Sequence, residues 1–167
     1  TFEDDATLSV GFVYYQYAHN NSPNSPSNPS YWDWHDLSAV INYDRRDTLF
    51  GHESRSSLAF TSTEHLKGQV DSTFANKQTR KFVDYSSSFD HVFSVGNDLE
   101  LVDGLWLTSG VSAINVRRHA DVKEALVANT TTYPSDVTYD NWSLAPRLGV
   151  RYEFTPQLQV FANVSRS

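Results

Sequence analysis

The sequence predicts an all-β chain, an antiparallel up-and-down meander, and three observations carry that prediction. Apolar and polar residues alternate with period two over several stretches of ten residues or more, longer than the five or six of an ordinary strand. The connections between these stretches alternate long and short along the chain. Most of these stretches also separate an apolar face from a more polar one, as a strand between two different solvents must. A transmembrane β-barrel combines all three, with spanning strands of about 9–11 residues, tight turns at one end and long loops at the other. A soluble β-sandwich also alternates, and on pattern alone it stays open.

The first strand covers residues 7–18, with Leu8, Val10, Phe12 and Tyr14 opposed to Thr7, Ser9, Gly11 and Val13. A Pro/Ser/Asn run, NNSPNSPSNPS at 20–30, follows as a long irregular loop. The second strand, 36–46, sets Leu37, Ala39, Ile41 and Tyr43 against Asp36, Ser38, Val40 and Asn42. A tight connection around Phe50-Gly51-His52 leads to the third strand, 53–64. A long polar stretch, 66–89, precedes the fourth strand at 92–101. Val102-Asp103-Gly104 is a hairpin signal into the fifth, 105–117. There Leu105, Leu107, Val111 and Ala113 are opposed by Trp106 and Ile114.

A second long stretch, 118–142, follows; within it ADVKEALVAN, 120–129, carries the chain's only helical signal, about two turns. The sixth strand, 143–154, is led by Trp142 and places Leu144, Pro146, Leu148, Val150, Tyr152 and Phe154 on one face. Arg147, Gly149, Arg151 and Glu153 lie on the other. Pro146 costs this strand a ladder bond. A turn at Thr155-Pro156-Gln157 joins it to the seventh strand, 158–165. Leu158, Val160, Ala162 and Val164 are its apolar set.

Composition removes several function classes. The 167 residues carry a formal net charge of −7, which argues against a nucleic-acid partner, since phosphate binding needs a basic face. With no cysteine, a disulfide or thiolate metal site is excluded. No apolar run approaches the 18 or so residues of a membrane-spanning helix. No nucleophile elbow, phosphate loop or His-Glu-x-x-His helix is present, so no catalytic residue and no metal ligand set is nominated.

The stretch WSLAPRLGVRYEFTPQLQVFANVSRS, 142–167, resembles a recurrent segment of TonB-dependent outer-membrane receptors. In that family a Trp or apolar residue leads into a Ser/Ala-Pro-Arg-apolar-Gly strand, then a Thr-Pro turn, then a strand ending in a Ser-Arg-like pair. VGNDLELVDGLWLTSGVSAINVRRH, 95–119, is similar to the preceding hairpin, and DTLFG, 47–51, to one of the family's periplasmic turns. The resemblance implies that residues 1–167 are a fragment of a large transmembrane β-barrel, a middle portion of about seven strands. The plug domain, the TonB box and the remaining strands would then lie outside it. It further implies a bacterial cell outer membrane, a lipid partner and energy coupling through the TonB complex. The function implied is import of a scarce ligand, most often a ferric siderophore, a small-molecule metal chelate carried as cargo and not as a cofactor. A porin-like passive channel is the competing reading within the membrane class.

For ligand binding the nominated residues are Tyr31, Trp32, Trp34 and His35 at the end of the first long loop, with Arg117 and Arg118 at the outer end of the fifth strand. Aromatics there could stack on a flat ligand, and the arginines could attract an anionic one. The plainer readings are interfacial anchors for the aromatics and ion pairs or lipid headgroups for the arginines. His19, His35, His65 and His119 fall in or beside the long loops and are read as solvated. Arg147, Arg151 and Glu153 are expected to face the interior and to pair there.

Overall fold

A computed structural model of the chain describes residues 5–21, 29–74, 79–126, 135–155 and 157–166. Eight strands form one antiparallel sheet: β1 Ala6–Asn20, β2 Ser30–Leu49, β3 His52–Phe74, β4 Thr79–Asp84, β5 Ser88–Val102, β6 Leu105–Leu126, β7 Ser135–Thr155 and β8 Leu158–Ser165. Both β4 and β5 lie between β3 and β6 and run in the same direction. They are one strand broken at Tyr85–Ser87, where Ser87 has a positive φ of 69°. Among the described residues the sheet therefore has seven strand positions.

The tight turns behave as the sequence requires. Phe50 (φ 54°) and Gly51 (φ 84°) both occupy the left-handed region between β2 and β3, the conformation of a two-residue hairpin loop. Gly104 (φ 76°) closes the β5–β6 hairpin, and a Cβ on it would sit 2.8 Å from the Glu153 carbonyl oxygen. These turns and the β7–β8 turn share one end of the sheet.

The opposite end departs from expectation. Much of the two long polar stretches is strand: β3 continues to Phe74, β4 fills 79–84, β6 runs to Leu126 and β7 begins at Ser135. Helix at 120–129 is therefore corrected for 120–126, of which 121–126 pair with β4 and 120–122 with β7; 127–129 lie outside the described residues. Backbone pairing with adjacent strands outweighs the weak intrinsic preference of Ala, Glu and Leu for helix. Tyr31–His35 are among the opening residues of β2, next to the long loop as expected, whereas Arg117–Arg118 lie inside β6 and not at its end.

Among the described residues only Val83 (5% exposed) and Trp106 (4%) are buried hydrophobics, while long rows of Val, Leu, Phe and Tyr are bare. A sandwich would need a second packed sheet against one of these faces, and there is none among the described residues. The register lines up Val10, Ile41, Phe60, Phe93, Ala113 and Leu144 on a single face, with rows of similar character beside them.

This apolar band does not run parallel to the hydrogen-bonded rows. In β1 it is centred on Gly11, between Leu8 and Tyr14; in β8 it is centred on Phe161, between Leu158 and Val164. The row through Gly11 passes Val40, Thr61, Val92 and Ile114 and reaches β7 at Ser143. The row through Phe161 meets β7 at Arg151, eight residues further along. Eight residues at about 3.3 Å span about 26 Å, against about 29 Å for six interstrand steps of about 4.8 Å. The strands are thus inclined by about 40° to the normal of the band. That is the tilt of barrel strands crossing a flat apolar layer.

Candidate interior binding wall

With the apolar face toward lipid, the other face lines an interior. At the tight-turn end this interior face carries Trp106, over which the guanidinium groups of Arg55 (4.7 Å) and Arg151 (5.2 Å) stack. Each arginine pairs with a carboxylate two residues away on its own strand: Arg55 with Glu53 at 3.1 Å, and Arg151 with Glu153 at 3.3 Å. Arg147 lies across β6 and β5 over Gly110 and Gly96, where any side chain would collide with it.

At the long-loop end, strand alternation divides the nominated aromatic cluster. Asp33 and His35 are on the outer face with Lys67. Asp33 accepts from Lys67 Nζ (2.5 Å) and lies 2.9 Å from His35 Nε2, whose other nitrogen meets the Tyr14 hydroxyl at 2.6 Å. The hydrogen bond from Lys67 and then that from His35 hold the Asp33 carboxyl below its ordinary range, against the opposing effect of burial. The same bond raises Lys67. Tyr31 shares this face by alternation. Trp32 and Trp34 face inward: Trp32 sits 5.6 Å from the His19 ring, and Trp34 stacks on Tyr85 at 5.5 Å and 15°.

A register shift between His35 and Asp36 leaves Leu66 as the extra residue in β3, so that Gly68 faces inward beneath the Trp34 ring. A Cβ at Gly68 would lie 2.8 Å from that ring.

The arginines separate in the same way. Arg117 is on the outer face opposite Asp140, and its buried Nε has no protein partner. Arg118 is on the inner face, where Nη2 donates to both oxygens of Asp90 (2.8 and 3.0 Å). Its Nη1 donates to the carbonyls of Phe89 and Arg117 (3.1 and 3.0 Å). Next to this pair, His65 Nδ1 meets Asp36 at 2.8 Å, and its Nε2 is 3.8 Å from Asp90. Asp36, His65, Asp90 and Arg118 thus form a chain of polar contacts across β2, β3, β5 and β6, with the Asp90–Arg118 ion pair at one end.

Above this chain is a cavity of about 510 Å³, within the range of ligand pockets, walled by Trp34, Tyr85, Ala120, Val137 and Tyr139. Of the six nominated residues, Trp34 and Arg118 meet at this cavity. Trp32 lies elsewhere on the interior wall, and Tyr31, His35 and Arg117 turn away from it. The sequence reading missed Tyr85, Asp90, Val137 and Tyr139 and took His65 as a solvated loop histidine; these five lie on four different strand segments or their junctions. Among the described residues no group of three or more His, Asp or Glu is placed to hold a metal ion.

A single tilted sheet with one lipid-facing and one polar, charge-paired face defines a transmembrane β-barrel wall. The family model described as "TonB dependent receptor-like, beta-barrel" matches residues 1–167, and the chain belongs to that family. Membership makes it part of a bacterial outer-membrane transporter that works with TonB, a transporter family and not one of enzymes. No curated protein and no solved structure matches it.

Proposed function

We propose that this chain is the wall of a TonB-coupled importer whose cargo is a ferric siderophore, touched on its way by the interior face around Trp34 and Tyr85. The observation that supports this most is the cavity at the long-loop end, where aromatic rings from β2 and the β4–β5 break stand on the polar face. A flat chelator can lie against such rings. The chelator itself fills the iron's coordination shell, so the wall needs no metal ligands of its own.

The test is uptake of radiolabelled ferric siderophores by iron-starved cells carrying or lacking the full-length receptor, each with and without TonB. Uptake that needs both the receptor and TonB is the expected result. Uptake through the receptor that is undiminished without TonB would make it a passive channel. Uptake of no iron chelate, with TonB-dependent entry of some other solute, would remove the siderophore assignment alone.

A further inference from the structure

We infer that the break between β4 and β5 builds an interior slot for an uncharged planar ring, formed by Trp34 and Tyr85 on one side and Val137 and Tyr139 on the other. This rests on the interior face being the path of the cargo.

The first observation is the break itself. The other positive-φ residues among those described, Phe50, Gly51 and Gly104, lie in tight hairpin turns, whereas Ser87 lies in the middle of a strand position. A left-handed serine persists only where surrounding bonds over-determine it, and such strain collects at functional sites. Those bonds are present. The Ser86 amide donates to Asp84 (2.9 Å), the Ser88 hydroxyl to the Tyr85 carbonyl (2.9 Å), the His119 amide to the Ser88 hydroxyl (2.9 Å) and the Tyr85 amide to the Gly68 carbonyl (2.6 Å). Their joint effect is to hold the Tyr85 ring against Trp34 on the interior face. Gly68 supplies the missing volume under Trp34.

The second observation is the charge at the floor. Four of the five N–H donors of Arg118 are engaged, two by Asp90 and two by carbonyls. Asp90 is neutralised in turn, and His65 is held by Asp36. Little charge is left to recognise an anion. The opposite wall, Val137 (58% exposed) and Tyr139 (56%), is apolar and bare. An apolar slot over a floor whose arginine is already paired favours a flat uncharged ring over an anionic one, because an anion would lose its water and gain no counter-ion.

The test uses the full-length receptor in detergent and a fluorescent coumarin glucoside, which is neutral and carries a ring. Its competitors are methyl glucoside, which lacks the ring, and the phosphate ester of the same coumarin, which is anionic. Saturable coumarin binding, weakened about tenfold by Trp34→Ala and severalfold by Tyr139→Ala, is expected. Methyl glucoside should not compete, and the phosphate should compete weakly. Tyr139 is exposed, so its loss reads binding and not folding, and the heat-shifted gel mobility of each variant reports its barrel.

Parental binding in both variants, or equal competition by methyl glucoside, would overturn the slot. The uptake experiment fails separately. Ring binding in a receptor that imports without TonB removes the importer and keeps the slot. TonB-dependent uptake with parental ring binding in both variants removes the slot and keeps the importer.

Discussion

The inclination of the apolar band makes a prediction that a flat, untilted sheet would not. Ile41 and Leu144 lie on one hydrogen-bonded row, through Phe60, Phe93 and Ala113. If the membrane plane followed the rows, arginine at either position would cost the same. The band in β2 runs from Leu37 to Tyr43, so Ile41 is one residue from its centre. In β7 the apolar set runs from Trp142 to Phe154 and centres on Leu148, four residues from Leu144. Four residues at about 3.3 Å, projected through a tilt of about 40°, give about 10 Å of depth. One residue gives about 2–3 Å on the same reckoning. The apolar band of such a barrel is about 25 Å tall, so Ile41 and Leu148 are near the midplane and Leu144 is near the boundary.

Ile41→Arg and Leu148→Arg should each cost about 2–4 kcal/mol, and Leu144→Arg about 1 kcal/mol or less. Gln159→Arg, on the interior face opposite Glu153, should change stability by no more than about 0.5 kcal/mol. The measurement is guanidinium unfolding of the full-length receptor in phospholipid vesicles, by tryptophan fluorescence. Equal costs at Ile41 and Leu144, or a larger cost at Leu144, would refute the tilt and the face assignment that depends on it.

Three further outcomes follow from the packing. Gly110→Ala places a Cβ 2.7 Å from Arg147 Nε and 2.8 Å from the Val95 carbonyl, and backbone cannot yield as a side-chain tip can; a loss of about 1–3 kcal/mol is expected in the same titration. Ser54, only 1% exposed, accepts one of the two hydrogen bonds from the Asn97 amide (2.7 Å), the other going to Ser56 (3.0 Å). Ser54→Ala leaves that donor without its acceptor on the lipid-facing side and should cost about 1 kcal/mol, read from the shift in unfolding midpoint.

Asp33 lies seven residues from the centre of the band in β2, beyond its edge, and its lowered pKa stabilises the fold above the ordinary carboxylate value. That contribution disappears as pH falls through the folded value. The parent should therefore melt higher than Asp33→Asn at neutral pH, and the gap should close below about pH 3.9.

Period-two alternation was legible wherever the two faces of a strand meet different solvents. Leu144 to Phe154 and Leu158 to Val164 show the pattern because lipid and interior impose it residue by residue. Beyond the band both faces meet water or other polar groups, and alternation is no longer enforced. Residues 66–74 and 118–126 therefore have the composition of loops while pairing as strands. The site was only partly legible for a related reason. Tyr31 to His35 form a patch in sequence, but in a strand the neighbours of Trp34 on its own face come from other strands. Tyr85 and Tyr139 become its companions through register, and register is not written in any local motif. The Tyr85-Ser86-Ser87-Ser88 run has turn chemistry, yet nothing local says that the same strand position resumes after it.

What holds such a sheet together also explains why depth should govern its response to substitution. With Val83 and Trp106 its buried hydrophobics among the described residues, the chain has little core to lose. Its stability lies in backbone ladders of twenty residue pairs between β2 and β3 and eighteen between β6 and β7, whose stretches within the apolar band lie where no water competes for the N–H and C=O groups. Removing a methylene from Leu148 or Val150 then exchanges protein for lipid of similar polarity and leaves no cavity. Introducing a charge at the same position costs transfer energy set by its distance from the midplane. Truncation to alanine along the lipid face should accordingly be mild, and arginine costs should follow the oblique band. The interior face obeys the opposite rule. There Gly96, Gly110 and Gly68 sit under Arg147 and Trp34, and added volume matters more than polarity.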